Sequence, residues 1–142
     1  NFYVADSPIN NNESFIRSSV AYQAPVYNVE QLLNMVKDKK FEEALEYSQY
    51  LNETQEMIVQ AKVYEQTDVK KSIKLYQKII VNPNSPIEYL LKLAILNEKV
   101  ENYNQSLYYY QLFSRHNSDV NQDVALFVDR KISILNSMRG GL

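Results

Sequence analysis

Few side chains in this 142-residue sequence have the type and spacing that catalysis needs. The single histidine, His116, follows Arg115, and no nucleophile or orienting acid stands at a spacing that would activate it. A catalytic base works only with such partners, so we expect His116 to be a cation near the end of a helix. One histidine and no cysteine also exclude multi-histidine and thiolate metal sites.

Carboxylates are frequent, but they occur in pairs, such as Glu42 with Glu43 and Asp119 with Asp123. Such pairs are typical of a solvated helix face, because an oxygen-rich metal site needs more converging ligands. Glycine is absent before Gly140, which excludes a glycine-rich phosphate loop. The sequence therefore predicts a protein that is not an enzyme, with no catalytic residue, no metal and no cofactor.

Four lysines, Lys70, Lys71, Lys74 and Lys78, recur at helical spacing and could contact phosphates or an acidic partner. The net charge of the whole chain is −2, and no aromatic residues alternate with these lysines. A solvated helix face is therefore favoured over nucleic-acid binding.

Three consecutive tyrosines, Tyr108, Tyr109 and Tyr110, point about 100° apart if they lie on a helix, so they cannot all be buried. We expect Tyr110 in the core. Tyr108 and Tyr109 form a candidate second binding surface, with at least one of them exposed, because exposed tyrosine is favoured at protein interfaces.

The elements that position these residues are helices. Apolar residues recur at three- and four-residue spacing from residue 28 onward, and no segment alternates with the period of a strand. Short connections predict an all-α fold of antiparallel helical hairpins. The predicted helices cover residues 28–38, 40–52, 53–66, 69–82, 86–99, 102–115 and 119–138.

A capping pattern precedes most of these helices. Four pairs have the spacing of a capping box, in which a cap residue and a residue three positions later bond each other's backbone N–H groups: Asn28 with Gln31, Asn52 with Gln55, Ser85 with Glu88, and Asn102 with Gln105. The other predicted caps are Asp38, Asp68, and Ser118 or Asp119. Residues 28–138 form the predicted helical domain. Residues 1–27 are predicted to be an arm or linker with a possible short helix at 13–23, and residues 139–142 a flexible tail.

A five-residue pattern occurs three times, at 41–45, 69–73 and 103–107. Each copy has a bulky residue, two polar residues, a small residue and an aliphatic residue. Its small residues are Ala44, Ser72 and Ser106, and the helices before the second and third segments carry Ala61 and Ala94 at matching places. This arrangement resembles three degenerate tetratricopeptide repeats over about residues 28–115. The resemblance implies a short α-solenoid of stacked hairpins with close helix contacts at the small residues.

The resemblance also implies a concave groove that is lined by the first helix of each hairpin and holds a helix or an extended peptide. The expected groove residues are Tyr27, Glu30, Asn34, Lys37, Gln55, Ile58, Lys62, Glu65, Glu88, Leu91, Ile95 and Glu98. We expect Ile58, Leu91 and Ile95 to be exposed apolar side chains. The carboxylate clamp of one tetratricopeptide subfamily is not expected, because Glu30 and Glu88 stand where that clamp needs lysine.

The last predicted helix has no second helix to pair with and is expected to cap the stack. Its expected inward side chains are Val124, Phe127, Val128, Ile132 and Leu135. Its expected outward side chains are Asp123, Asp129, Arg130 and Lys131.

The leading functional hypothesis is a non-catalytic protein–protein interaction module, acting as a scaffold or stabilising adaptor. One alternative is a structural module that self-associates into homo-oligomers, and the other is a regulatory or nucleic-acid adaptor that uses the lysines. No run of apolar residues is long enough to span a membrane. Frequent Asn, Tyr, Lys and Ile match A/T-rich codons and suggest a bacterial source, and the linker-like start with no cysteine favours a periplasmic or envelope-associated setting.

Overall fold

The computed structural model describes residues 25–116 and 121–140, and these residues form seven α-helices and no strand. The helices are α1 (Val29–Lys37), α2 (Phe41–Ser48), α3 (Glu53–Thr67), α4 (Val69–Ile79), α5 (Glu88–Lys99), α6 (Tyr103–His116) and α7 (Gln122–Gly140). The predicted all-α class is confirmed. The predicted arm with its short helix at 13–23, and the caps Ser118 and Asp119, lie outside the described residues.

Neighbouring helices pair in chain order. α1 packs against α2, α3 against α4, and α5 against α6, which gives three antiparallel hairpins. Successive hairpins touch through α1 and α2 with α3, and through α4 with α5, while α7 packs against α6. The contacts therefore run in chain order from each hairpin to the next, and from the third hairpin to α7.

The five small residues of the repeat, Ala44, Ala61, Ser72, Ala94 and Ser106, are all completely buried. The Ser72 hydroxyl donates to the Ala61 carbonyl oxygen at 2.8 Å, and the Ser106 hydroxyl donates to the Ala94 carbonyl oxygen at 2.7 Å. Only a small residue lets two helix backbones approach closely enough for this bond. The predicted close contacts are therefore confirmed, and two of them contain a hydrogen bond between helices.

The buried side chains form two clusters that meet at α3. Val59 and Val63 face the first hairpin, whereas Ala61 faces α4. Because α3 is buried on two sides, it has no single apolar stripe. The first cluster consists of Leu32, Val36, Ala44, Val59 and Val63. The largest side chains of the second cluster are Tyr76, Leu93, Leu107, Tyr110 and Phe113.

Three predicted caps are confirmed. The Asn28 side chain accepts the Gln31 N–H at 2.8 Å and the Gln31 side chain accepts the Asn28 N–H at 2.9 Å, which completes a capping box. Asn52 accepts the Gln55 N–H at 2.8 Å. Asp68 is the cap of α4.

Two predicted caps are wrong. The Ser85 hydroxyl donates to the Asn82 carbonyl oxygen instead of capping α5, because residues 82–85 form their own turn before Pro86. Asp38 ends α1 rather than starting α2. The second helix is also shorter than predicted and ends at Ser48, whose hydroxyl bonds the Leu45 carbonyl oxygen.

Two hairpins turn through a residue in the left-handed conformation. Lys39 after α1 and Glu101 after α5 both have φ of 62°. The following N–H groups, of Lys40 and Asn102, reach back to carbonyl oxygens five residues earlier at 2.9 and 2.8 Å. This is the Schellman motif, which usually carries glycine at the left-handed position. In the middle hairpin Asp68 alone joins the two helices.

The expected orientation of α7 is confirmed in part. Val128 and Leu135 are buried, Val124 and Ile132 are half-buried, and Asp123, Asp129 and Arg130 are exposed, all as expected. Phe127 was expected to face inward but is 38% exposed. Lys131 was expected to face outward, but its ammonium bonds Glu98 of α5. Both errors have one cause, because α7 is rotated so that its edge reaches α5. It also continues to Gly140, beyond the predicted end of the helical domain at residue 138.

Candidate functional site

We call one side of the molecule the groove face: the predicted groove-lining sides of α1, α3 and α5, together with the side of α7 that carries Phe127 and Lys131. A cleft of about 360 Å³ lies on this face between α1 and α3. Five predicted groove residues line it: Glu30, Asn34, Lys37, Lys62 and Glu65. The structure therefore brings together predicted residues from α1 and α3, which are separated in the sequence by α2.

Glu65 is the most connected polar residue of the groove face. The Tyr76 hydroxyl of α4 donates a hydrogen bond to its carboxylate. The Lys92 ammonium of α5 lies 3.1 Å from Glu65 Oε1, and the Lys62 ammonium lies 3.7 Å from Oε2. Glu65 thereby joins both helices of its own hairpin to the next hairpin.

Glu98 repeats this arrangement in the third hairpin. The Tyr110 hydroxyl of α6 donates to Glu98 Oε1 at 3.0 Å, and the Lys131 ammonium of α7 donates to Glu98 Oε2 at 2.8 Å. We call the two sets, Tyr76–Glu65–Lys92 and Tyr110–Glu98–Lys131, the Tyr–Glu–Lys triads. Lys131 of α7 thus contacts Glu98 as Lys92 of α5 contacts Glu65.

Burial raises the pKa of the Tyr76 hydroxyl well above the ordinary value of 10.0, and the hydrogen bond to Glu65 raises it further. The Tyr110 pKa is raised too, first by burial and then by the charge of Glu98 and the hydrogen bond to it. Both hydroxyls consequently stay protonated and donate to their carboxylates. The sequence analysis missed these bonds because the partners are 11 and 12 residues apart on different helices.

The three predicted apolar groove residues differ in exposure. Ile95 is 38% exposed, as expected. Ile58 and Leu91 are only half-buried rather than exposed, and both pack against the larger core cluster. The expected exposure of these two residues was wrong, because neighbouring hairpins pack closely enough to cover side chains at the edge of their contact.

The groove face carries an apolar patch that the sequence analysis did not predict. Phe127 and Ile134 lie one helical turn on either side of Lys131, and Ile95 lies one turn before Glu98. These three apolar side chains, which we call the apolar patch, therefore flank the Glu98–Lys131 ion pair. Phe127 and Ile134 are 38% and 50% exposed.

Contacts around Phe127 hold this patch in place. Its ring meets the Tyr110 ring edge-on, with 6.2 Å between centroids, and the Lys131 ammonium lies 5.7 Å from the Phe127 centroid. Phe127, Lys131 and Ile134 are four and three positions apart, a spacing that places them on one side of a helix. The sequence analysis missed this side of α7 because Phe127 also fits the spacing of the core residues.

Three further predicted groove residues, besides Ile58 and Leu91, lie apart from the cleft and the patch. Tyr27 does not line the cleft and packs edge-on against Tyr47 of α2, with 5.0 Å between ring centroids. It precedes the helix, and α2 offers an aromatic side chain to cover it. Gln55 is half-buried in the first turn of α3, and Glu88 is exposed at the first residue of α5.

Only Tyr108 of the expected Tyr108–Tyr109 surface is exposed. Tyr110 is fully buried and Tyr108 is 50% exposed, as expected. Tyr109 is only 6% exposed, and its hydroxyl accepts a hydrogen bond from Gln77 of α4 at 3.4 Å. It is therefore part of the contact between hairpins, and Tyr108 is the only one of the three tyrosines on the surface.

His116 and the acidic side chains are the residues that the sequence analysis considered for catalysis or metal binding. Among residues 25–116 and 121–140, no three histidine or carboxylate side chains converge as metal ligands. His116 is exposed and lines a cavity of about 400 Å³ with the turn residues Asn82, Pro83 and Ser85. Within the same described ranges, no helix is both long and apolar enough to cross a membrane.

No protein-family model, no curated protein and no solved structure matches the chain.

Proposed function

We propose that this chain is a tetratricopeptide-like interaction module, a non-catalytic scaffold or stabilising adaptor that binds a segment of another protein across the groove face. The observation that supports this proposal best is the apolar patch. Ile95, Phe127 and Ile134 are large apolar side chains that stay exposed around an ion pair whose polar groups are already bonded. Exposed large apolar side chains beside polar groups that are already paired are typical of protein interfaces.

The groove face offers different chemistry at its two ends. At the α5–α7 end, the apolar patch suits leucine-like or aromatic anchors of a partner helix or extended segment. At the α1–α3 end, the cleft presents exposed Glu30, Asn34 and Lys37, which suit polar and charged groups. The triads fix the side chains of Glu65, Lys92, Glu98 and Lys131, and this reduces the conformational entropy that these side chains lose on binding.

Replacement of Ile95 and Ile134 by glutamate tests this function. Both side chains are substantially exposed, so the double variant should fold like the parent by circular dichroism. It should lose the partner that the parent retains in a pull-down, because apolar anchors contribute about 2 kcal/mol each to an interface.

The matched control replaces Val26 and Val81 by glutamate, since these valines are 90% and 80% exposed and lie outside the groove face. The control should keep the partner. Retention by the Ile95→Glu, Ile134→Glu variant would place binding elsewhere. Sedimentation of the same variants separates the self-association alternative, in which the parent is an oligomer and only the groove variant becomes monomeric.

A further inference from the structure

A second surface lies on the opposite side of α3. Gln60 and Tyr64 of α3, with Lys71, Lys74, Leu75 and Lys78 of α4, line a cleft of about 320 Å³. We call it the basic cleft. Gln60 and Lys62 are two residues apart and point about 160° apart around the helix. Since Lys62 lines the groove-face cleft, the basic cleft is a separate surface.

The charge of the basic cleft is not balanced by acidic side chains. Lys71, Lys74 and Lys78 are exposed, and within the described part of the chain none of them has an ion pair. Asp68, between the two helices, accepts the Lys71 N–H as a helix cap. Glu56 of α3 lies one turn before Gln60, and no ion pair links it to these lysines.

The floor of the basic cleft is aromatic and apolar. The Lys71 ammonium lies 4.6 Å from the centre of the Tyr64 ring, a cation–π distance. Tyr64 and Leu75 are both half-buried, so part of each side chain remains accessible inside the cleft. This combination of unpaired ammonium groups with an apolar floor suits a ligand that carries both carboxylates and an apolar side chain.

We propose that the basic cleft binds an acidic peptide segment, with carboxylates on the lysines and one aliphatic side chain against Tyr64 and Leu75. Seven residues separate Lys71 from Lys78, which is about 10 Å along a helix. An extended peptide advances about 3.3 Å per residue, so acidic residues two or three positions apart fall opposite these lysines. This site goes beyond the groove face and does not depend on it.

Charge favours a peptide over nucleic acid at this site. Nucleic-acid binding commonly rests on about 6–10 phosphate contacts, whereas the basic cleft offers three lysines in a chain of net charge −2. A short acidic segment needs only two or three ion pairs and gains from the apolar floor.

Fluorescence anisotropy with a labelled oligoglutamate peptide that has one central leucine tests the proposal on the full chain. The parent should bind this peptide, and Lys74→Glu with Lys78→Glu should weaken binding about tenfold or more, because attraction becomes repulsion at two positions. Tyr64→Ser should reduce affinity for the leucine-containing peptide while leaving affinity for plain oligoglutamate nearly unchanged.

The control is Lys99→Glu with Arg130→Glu, which changes the net charge equally at exposed basic residues outside the cleft. It should bind like the parent. An equal loss in the control would show that only overall charge matters and would overturn the site. Failure of the parent to bind the peptide, or tighter binding of a short DNA duplex than of the peptide, would overturn it as well.

Discussion

At the residue scale, the Tyr–Glu–Lys triads are the feature that most directly links chemistry to architecture. A buried tyrosine hydroxyl needs an acceptor, and a carboxylate at the edge of the groove face needs donors. Glu65 and Glu98 satisfy both needs, because each accepts from a tyrosine on one side and a lysine on the other. These two glutamates therefore have a structural role beside any contact with a partner.

We expect the free energy of unfolding to decrease above pH 10. The pKa values of Tyr76 and Tyr110 are raised in the folded protein above the ordinary 10.0, so only the unfolded chain releases these protons easily. The stabilisation is complete below pH 10 and is lost as the pH rises further, by up to about 1.4 kcal/mol per pH unit for each tyrosine. Urea titrations on either side of pH 10 measure it.

The control for this pH dependence is the exposed Tyr108. Tyr110→Phe should make the alkaline decrease shallower, while Tyr108→Phe should leave it unchanged. If both variants altered the slope equally, the buried hydroxyl groups would not be its cause.

At the element scale, the hairpin turns show where this sequence departs from ideal backbone chemistry. Lys39 and Glu101 occupy a left-handed conformation that glycine adopts more easily. A residue with a Cβ atom in this conformation costs about 1–2 kcal/mol relative to its preferred region. The two turns therefore lower the free energy of unfolding.

We expect Glu101→Gly to raise the free energy of unfolding by about 0.5–1 kcal/mol, once the extra freedom of glycine in the unfolded chain is subtracted. Urea unfolding measures the change. Glu101→Ala keeps the Cβ atom and should give no increase. Lys39→Gly should gain less, because it also removes the bond from the Lys39 ammonium to Gln66 at 3.2 Å.

The helices themselves were predictable because their periodicity and capping are local. The predicted ends of α3 and α6 differ from the observed ends by one residue. The end of α2 was not predictable, because Leu51 extends an apolar spacing that the Ser48 hydroxyl interrupts. Ser85 before Pro86 likewise has the sequence pattern of a helix cap, but its hydroxyl bonds the Asn82 carbonyl oxygen in the preceding turn.

The site was predictable only in part, because periodicity gives the face of a residue but not its partner. Lys37, Lys62 and Glu65 share a cleft as expected. The rotation of α7 was not predictable, because periodicity does not show that Lys131 meets Glu98, 33 residues away in the sequence. The apolar patch follows from that placement of α7 and therefore became visible only in the structure.

At the scale of the whole molecule, α7 covers the end of the third hairpin. Its buried residues Val128 and Leu135 belong to the same cluster as Tyr110 and Phe113 of α6. The Lys131 bond to Glu98 adds a polar link to α5. The α7 helix is thereby both the cover of the core and one wall of the groove face.

We expect truncation after residue 118 to lower both stability and solubility. Loss of α7 uncovers apolar side chains of α6, and terminal units of a helical stack need a polar outer face. Burial of each large apolar side chain contributes about 1.5–3 kcal/mol, so the urea midpoint should fall clearly. Sedimentation should show self-association. A truncated chain that stays monomeric with the parent's midpoint would show that α7 is an appendage.

The single-residue junction at Asp68 also has a kinetic consequence. The entropy lost on closing a loop grows with its length, and α3 and α4 are joined by one residue, whereas residues 80–87 separate α4 from α5. Residues 38–40 and 100–102 join the other two hairpins, so among the described helices the middle hairpin has the shortest junction. Where each unit touches only its neighbours, folding can start at any unit and spread. We therefore expect folding to start most easily at the middle hairpin and to proceed outward from it.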